Sequence, residues 1–206
     1  MKIYSFGHGA QPFDEFLNKI NQAKINIIFD MRERPFSRYY PYFNRKALEK
    51  KLGEKYVFAG GFLGGSSNFH NDLLEYMENK GKNLTPENRL SSLIDEKTRE
   101  KIFSKNMNFS NDEKRKEWIT ENFLKFYIPP QRRQQAINFL KEKVFTKENE
   151  DKIICFLCSE KNYKFCHRYY LLEEDWLKEF PQVKEVFHLG EQLCKTINKE
   201  HLLNNY

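Results

Sequence analysis

The feature that most constrains the fold is a short, nearly continuous apolar run at residues 153–157. A strand this apolar is typical of a sheet that is covered on both faces. The run ends at Cys158, and a polar loop follows it. Apolar side chains then recur at three- or four-residue intervals from Phe165 to Phe180. This spacing predicts a helix with one apolar stripe, so the segment is interpreted as a buried strand, a polar turn and a helix.

The same alternation of strand and helix occurs in the N-terminal part of the chain. Apolar runs at residues 2–6 and 25–29 predict two strands, and helical spacing over residues 12–23 predicts a helix between them. A strand, a helix and a second strand in this order form the βαβ unit of a parallel sheet. The pattern also predicts strands at residues 56–59 and 183–189, and helices at 44–52, 131–144 and 191–203.

These elements together predict an α/β fold. We expect a Rossmann-like three-layer domain with a mostly parallel central sheet of about five strands. The 206 residues are enough for one domain, spanning 1–206, with a full core. The stretch at about 66–127 is polar with fragments of helical pattern, which predicts a mainly helical insert. Such an insert is either a lid over a site or a dispensable surface addition, and both roles stay open here.

Chemically reactive side chains follow the predicted strands at the points where the strands end. His8 follows the first strand, Asp30 and Arg32 follow the second, and Cys158 ends the central one. Three more reactive residues, Cys-His-Arg at 166–168, lie in the first turns of the next predicted helix. In open α/β sheets, ligands bind outside the carboxyl ends of the strands. The sequence therefore predicts a functional site at this edge.

Several short motifs stand in a fixed order along the chain. They are Phe6-Gly7-His8-Gly9, Phe29-Asp30-Met31-Arg32, Pro35-x-Ser37-Arg38, Phe62-Leu63-Gly64-Gly65 and Cys158-x-Glu160 with Cys166-His167-Arg168. The set resembles the motifs of the domain-of-unknown-function 488 (DUF488) family from about residue 3 to 190. Gly9 departs from the Ser or Thr that is usual there, and the span 66–127 is longer than usual. The resemblance implies an α/β fold and a site at these motifs, but no settled reaction.

The candidates for catalysis are Cys158, His167, His8 and Glu160. A thiol becomes a nucleophile beside a base or a positive charge, and His167 or His8 could act as that base for Cys158. The alternative for Cys158 is structural packing. Glu160 is a candidate general base, although an ion pair with Arg168 is the favoured role. Asp30 and Cys166 are expected to orient their neighbours.

The candidates for binding the substrate are mainly cationic. Arg32 and Arg38 occupy the motif positions of the family, and the rigid fork of arginine suits a carboxylate or phosphate. Ser37, Arg168, Gly64 and Gly65 complete the predicted binding set, the glycines because backbone N–H groups can approach a phosphate there. The lysines between residues 46 and 55 are interpreted as a solvated helix face.

A metal site is a further possibility, because Cys158, Cys166, His167 and His8 carry soft donors. Cys166 and His167 are adjacent on a predicted helix, so their side chains are expected to diverge by about 100°. The spacing matches no common zinc module. No cofactor is therefore predicted, with zinc as the less favoured alternative. Cys155 and Cys158 lie three apart in a strand, which does not favour a redox pair.

Charge and hydropathy limit the class of partner. The net charge of +6 and the pI near 9.0 fit an anionic small molecule, a nucleotide or a nucleic acid, although AT-rich codon usage alone can make a chain basic. No stretch of 18 apolar residues occurs, so no membrane partner is predicted. We expect a cytoplasmic protein with four reduced cysteines.

Two functions are compatible with these observations. The favoured one is an enzyme that acts on an anionic substrate, of the phosphate- or carboxylate-bearing kind, at a Cys/His/Arg site on the strand ends. The alternative is a nucleic-acid or nucleotide-binding protein without catalysis, in which arginines bind phosphate, Tyr39, Tyr40 and Tyr42 stack on bases, and the thiols are structural.

Overall fold

The computed structural model describes residues 1–65, 130–161, 163, 166–169, 171–172, 179–183, 185–190 and 196–198. Its strands are β1 (Lys2–Gly7), β2 (Ile27–Asp30), β3 (Tyr56–Phe58), β4 (Ile154–Cys158), β5 (Glu185–Leu189) and β6 (Thr196–Asn198). Its helices are α1 (Phe13–Gln22), α2 (Arg45–Leu52), α3 (Gly60–Leu63), α4 (Pro130–Phe139) and α5 (His167–Tyr169). The insert predicted at about 66–127 lies outside the described residues.

The strands form one sheet in the order β3-β2-β4-β1-β5-β6. The first five strands in this order are parallel, and β6 is antiparallel to β5. The prediction of a mostly parallel sheet in a three-layer α/β fold is confirmed. The strand order differs from the 3-2-1-4-5-6 order of the dinucleotide-binding fold, so the Rossmann-like label is not confirmed in detail.

The helix predicted over residues 191–203 is wrong at its centre, where the structure has β6. Strand β6 pairs its residues Thr196 and Ile197 with β5. Both residues are β-branched, and such side chains favour a strand over a helix. A short edge strand of this kind ends the sheet beside β5.

Both faces of the sheet are covered, as its apolar strands require. All five residues of β4 are buried. On one face the core contains Phe16 and Ile20 of α1 with Leu48 of α2. On the other face the core contains residues of α4 and its π-helical continuation Leu140–Val144, together with Leu171, Leu172, Phe180 and Val183. No helix among the described residues is long and apolar enough to cross a membrane.

The chain order of the strands places a topological switch point at one edge of the sheet. Strand β4 lies between β1 and β2, and the helix that follows β1 packs on the face opposite to the residues that follow β4. Neighbouring strands whose connections leave to opposite faces open a gap at their carboxyl ends, and ligands bind in such gaps. The ends of β1, β2 and β4 meet at this edge.

Candidate functional site

Backbone hydrogen bonds extend the sheet slightly past the ends of β1, β2 and β4. His8 N–H donates to the carbonyl oxygen of Cys158 at 3.0 Å, and Gly9 N–H donates to that of Ser159 at 2.9 Å. On the other side of β4, Met31 N–H donates to Leu157 at 3.0 Å. The residues that follow the three strands are therefore held side by side, as the sequence predicts.

A buried ion pair lies at this edge on the α1 face. Arg32 Nε and Nη2 donate to Asp30 Oδ1 and Oδ2 at 2.8 and 2.6 Å. The Tyr56 hydroxyl donates to Asp30 Oδ2 at 2.6 Å, and Arg32 Nη2 also donates to the Phe43 carbonyl at 2.9 Å. We call Asp30, Arg32, Tyr56 and the adjoining His8 the ion-pair network. The predicted orienting role of Asp30 is consistent with this geometry, while the guanidinium of Arg32 is largely occupied within the network.

His8 completes the network in a defined tautomer. Its Nδ1 lies 2.8 Å from the Gly9 carbonyl, which can only accept, and its Nε2 lies 3.0 Å from Arg32 Nη1, which can only donate. Nδ1 therefore carries the proton. Burial and the charge of Arg32 lower the pKa of His8 from 6.5 to about 4, so the ring is neutral near pH 7. Its ring also stacks on Phe43 at 4.0 Å between centroids.

Three soft donors lie together on the opposite face of the same edge. Cys158 Sγ lies 3.9 Å from His167 Nδ1, and Cys166 Sγ lies 3.7 Å from the same atom. One donor atom from each residue lies within 4.8 Å of the others. We call Cys158, Cys166 and His167 the thiol cluster. The predicted divergence of the Cys166 and His167 side chains is wrong, because α5 begins only at His167 and Cys166 precedes the helix.

The two thiols of the cluster differ in acidity. A hydrogen bond from Cys166, followed by the charges of His167 and Arg168, holds the pKa of Cys158 well below its usual range in spite of burial. Burial, together with that same hydrogen bond, raises the pKa of Cys166. Burial also raises the pKa of Cys155, whose thiol lies in the core on the other face. Of the two cysteines on this strand, Cys158 is therefore the one whose surroundings favour the thiolate form.

Arg168 lies beside the cluster and is only 1 % exposed. Its Nη2 donates to the backbone carbonyl of Glu160 at 2.6 Å. The predicted ion pair with the Glu160 carboxylate is therefore replaced by a contact to the main chain. A Cβ at Gly7 would overlap that same carbonyl oxygen and lie 2.7 Å from Arg168 Nη2, so this close approach requires a glycine.

Unsatisfied atoms are concentrated around the thiol cluster. In the part of the chain that the structure describes, the buried Nε2 of His167 and Nε of Arg168 have no hydrogen-bond partner. Within the same part, Arg168 forms no ion pair with a carboxylate. Buried polar atoms in folded proteins nearly always have partners, so each exception needs an explanation. These two exceptions lie on adjacent residues.

Of the remaining predicted binding residues, Gly65 lies against the thiol cluster, whereas Ser37 and Arg38 lie on the loop after β2. A Cβ at Gly65 would come within 3.1 Å of His167 Cγ, so this backbone lies against the imidazole. Gly64 packs closely on the backbone of Gly60. Ser37 Oγ accepts from Tyr40 N–H at 3.0 Å and stabilises the loop after β2. Arg38 belongs to the same loop and is exposed.

Sequence reasoning missed Tyr56 and Phe43 as members of the site edge. The sequence pattern predicts Tyr56 only as the first residue of the strand at 56–59, and it does not single out Phe43 as a site residue. The one available signal was the hydroxyl of Tyr56 on a strand expected beside the strand of Asp30. It also missed a buried pair at the β1–β5 contact, where Ser5 Oγ lies 2.6 Å from His188 Nδ1.

Comparison with known proteins identifies one related family. No curated protein and no solved structure matches this chain. Residues 12–80 match the family model described as "Domain of unknown function DUF488". The described part of this span contains Asp30, Arg32 and Tyr56, whereas the thiol cluster lies beyond it. The match over residues 12–80 confirms the DUF488 resemblance that the motifs indicated.

Proposed function

We propose that the protein is an enzyme that acts on an anionic substrate at the carboxyl edge of the sheet, with the thiol cluster as its reaction centre. The observation that carries this proposal is the position of Arg168 next to three reactive side chains, since Arg168 is a buried cation whose Nε has no partner among the described residues. A site of this kind is typical of enzymes that fix a charged substrate beside a reactive group.

The energetics of Arg168 support an anionic ligand. A charge taken out of water costs several kcal/mol unless a counter-charge compensates it. Arg32 has such compensation in Asp30, at 2.6 Å. The only partner of the Arg168 guanidinium in the described part of the chain is the Glu160 carbonyl. A carboxylate or phosphate group that reaches Arg168 would supply the missing charge, because arginine binds such groups in a bidentate manner.

The proposal assigns different tasks to the thiol cluster with Arg168 and to the ion-pair network. Cys158 and His167 carry out the chemistry, and Arg168 binds the anion. Glu160 positions Arg168 through its main chain, and the backbone of Gly64 and Gly65 borders the imidazole. His8, Asp30 and Arg32 form a rigid floor rather than acting on the substrate. Arg38 and Ser37, on the loop after β2, are proposed as an outer part of the binding surface.

The anion-binding half of the proposal is tested by thermal unfolding. Inorganic phosphate, citrate and a nucleoside monophosphate are added to the wild type and to Arg168→Met. A ligand at about 100 times its Kd stabilises the fold by about 2.7 kcal/mol, which raises Tm by roughly 5–11 °C for a chain of this size. We expect this rise with at least one anion in the wild type and none in Arg168→Met.

The matched control for that experiment is Arg45→Met. Arg45 lies on α2, is exposed and pairs with Glu49 at 2.7 Å, so its loss removes the same charge from the protein but not from the site. Arg45→Met should keep the full rise in Tm. An equal rise in Arg168→Met, or no rise with any anion, would contradict the proposal.

The catalytic half is tested by turnover of phosphomonoesters, carboxylate esters and thioesters that carry an anionic group. We expect Cys158→Ala to lose at least about 1,000-fold in kcat/KM, because it removes a group that the reaction needs. Cys155→Ala is the control, because this thiol belongs to the same strand but faces the other core. Anion binding without turnover of any ester class would contradict the catalytic half and indicate a protein that only binds anions.

A second function is favoured by one specific observation. Phe36 and Tyr39 are 70 % and 88 % exposed on the loop that also carries Arg34 and Arg38. Exposed rings beside cations suit single-stranded nucleic acid, which stacks its bases and neutralises its phosphates. Binding of a labelled oligonucleotide that falls steeply with added salt and weakens in Tyr39→Ala would support this alternative. Either function fits a cytoplasmic location, where thiols stay reduced.

A further inference from the structure

We infer that the thiol cluster is a binding site for a soft divalent metal ion, for which zinc is the model, with one coordination position left open. Cys158, Cys166 and His167 supply the three protein ligands. The inference rests on the proposed function only for the identity of the fourth ligand, which would be the anionic substrate or a water molecule. The metal site itself is supported by the distances between the donor atoms, by their chemistry and by the charge around them.

The distances between the donor atoms fit tetrahedral coordination. Zinc holds sulfur at about 2.3 Å and imidazole nitrogen at about 2.0–2.1 Å, which places sulfur and nitrogen about 3.6 Å apart and two sulfurs about 3.8 Å apart. The two observed sulfur-to-nitrogen distances are 3.9 and 3.7 Å, and all three donors lie within 4.8 Å. The sulfur-to-nitrogen distances need to shorten by only a few tenths of an ångström, and the distance between the two sulfurs by at most about 1 Å, to bring the donors to a metal ion.

The chemistry of the donor set is selective for soft metals. Two thiols and one imidazole suit zinc and its neighbours, whereas magnesium and calcium require oxygen ligands. Three protein ligands with a free fourth position are the arrangement of catalytic zinc, and four are the arrangement of structural zinc. Among the residues with described positions, only these three donors form the group.

The charge balance around the cluster specifies the fourth ligand. A dication bound by two thiolates and a neutral imidazole is electrically neutral. Arg168 adds one positive charge nearby, and the described residues place no carboxylate on it. A neutral metal centre beside a buried cation favours an anion at the open position. Hydroxide, a carboxylate or a phosphate oxygen would satisfy both the metal and Arg168.

The immediate surroundings favour retention of the ion. Cys158 and Cys166 belong to the core cluster that also contains Leu63 and Leu171, so the sulfurs are shielded from water by apolar side chains. Apolar surroundings restrict solvent access to a metal centre. With Nδ1 as the ligand atom, His167 keeps its proton on the buried Nε2. That N–H is then available to a bound substrate.

The first experiment uses the wild-type chain and requires no variant. The purified protein is analysed for metals by mass spectrometry, stripped with a chelator and titrated with cobalt(II). We expect about one equivalent of metal, a near-ultraviolet band from cobalt–thiolate charge transfer, and visible bands of tetrahedral cobalt. Cobalt spectra without thiolate absorption, or with octahedral visible bands, would overturn the inference.

The second experiment tests which residues bind the metal. Cys158→Ala and Cys166→Ala should each weaken cobalt binding by at least about 100-fold, which exceeds the 10- to 100-fold effect of losing an outer partner. The matched control is Cys155→Ala, which removes a thiol from the same strand on the opposite face and should bind cobalt as the wild type does. Equal weakening in all three variants would also overturn the inference.

The same samples separate this inference from the proposed function. If the wild type binds no metal but anions still raise Tm through Arg168, the metal site fails and the proposed function stands. If cobalt binds with thiolate bands and phosphate or citrate then alters the visible spectrum, both the ion and the open position are supported. If cobalt binds and no anion changes the spectrum or Tm, the open position and the proposed function fail together.

Discussion

The ion-pair network and the thiol cluster lie at the same edge of the sheet but on opposite faces, and they differ in how their polar atoms are satisfied. In the network, Asp30 and Arg32 form two parallel hydrogen bonds, and both ring nitrogens of His8 have partners. In the cluster, His167 Nε2 has no partner among the described residues, and the same is true of Nε of the adjacent Arg168. A closed set of hydrogen bonds fixes geometry, whereas an open set leaves capacity for a ligand.

The strongest test of this difference removes the centre of the network. Asp30→Ala leaves the buried guanidinium of Arg32 without its counter-charge, and breaking one side of a buried pair costs about 3–5 kcal/mol. We expect a loss of that size in the free energy of unfolding, measured with urea. Glu49→Ala is the control, because it breaks an exposed Arg45–Glu49 pair of the same kind and should cost at most about 0.5 kcal/mol. Similar losses in the two variants would show that the network is not structural.

The next test uses pH. The folded protein keeps His8 neutral because burial and Arg32 lower its pKa to about 4, against 6.5 in the unfolded chain. Between these values the unfolded state binds more protons, so stability rises with pH through this window. The stabilisation from His8 is therefore present above pH 6.5 and is lost as the pH falls towards 4.

The size of this effect is roughly 3 kcal/mol, since each pKa unit corresponds to about 1.4 kcal/mol. It is measured as the unfolding free energy of the wild type and His8→Gln between pH 7 and 4. The charged groups that face His8 are Arg32, Asp30 and Cys158. A wild-type slope that equals the slope of His8→Gln would contradict the assigned tautomer and the closed state of the network.

The sequence predicts which strand ends meet but not how their side chains divide the work. Residues His8, Arg32 and Cys158 each follow an apolar run, and parallel strands place such residues at one edge by geometry alone. That Arg32 is occupied follows from the positions of Phe43, whose carbonyl oxygen accepts from Arg32 Nη2, and of Tyr56, whose hydroxyl donates to Asp30. Both residues are distant in sequence and reach this edge only in the folded state. Charge and motif position alone therefore suggested an anion-binding role for this arginine.

In the thiol cluster, the position of one helix boundary determines whether the side chains of Cys166 and His167 can meet. A helix that includes Cys166 separates its side chain from His167 by about 100°, whereas a helix that begins at His167 leaves Cys166 free to turn back towards it. Sequence patterns locate helix ends only to within a few residues. The pairing of Cys166 with His167 could therefore not be predicted from spacing.

A smaller effect is expected at Tyr56. Its hydroxyl donates to a buried carboxylate that already accepts from Arg32, so Tyr56→Phe removes one charge-assisted hydrogen bond and leaves the ion pair in place. Hydrogen bonds to charged groups contribute about 1.5–3 kcal/mol, and we expect a loss of about 2 kcal/mol in urea unfolding. Tyr4→Phe is a control on the same face of the sheet. A loss in Tyr56→Phe no greater than that of the control would mean that the hydroxyl is not needed to hold Asp30.

The smallest loss of stability is expected at Arg168, although its side chain is almost fully buried. Arg168→Met replaces an uncompensated guanidinium with an apolar side chain that can occupy much of its space, and such replacements are often neutral or stabilising. The hydrogen bond to the Glu160 carbonyl is lost, at about 1 kcal/mol, while the cost of burying the charge disappears. We therefore expect Arg168→Met without ligand to be as stable as the wild type, or more stable by up to about 4 kcal/mol. Arg32→Met leaves the buried Asp30 carboxylate without its counter-charge, so its free energy of unfolding should instead fall by about 3–5 kcal/mol. An equal loss in the two variants would mean that Arg168 is held by the fold as firmly as Arg32; a stable Arg168→Met that has lost its response to anions would show that this arginine is retained for binding.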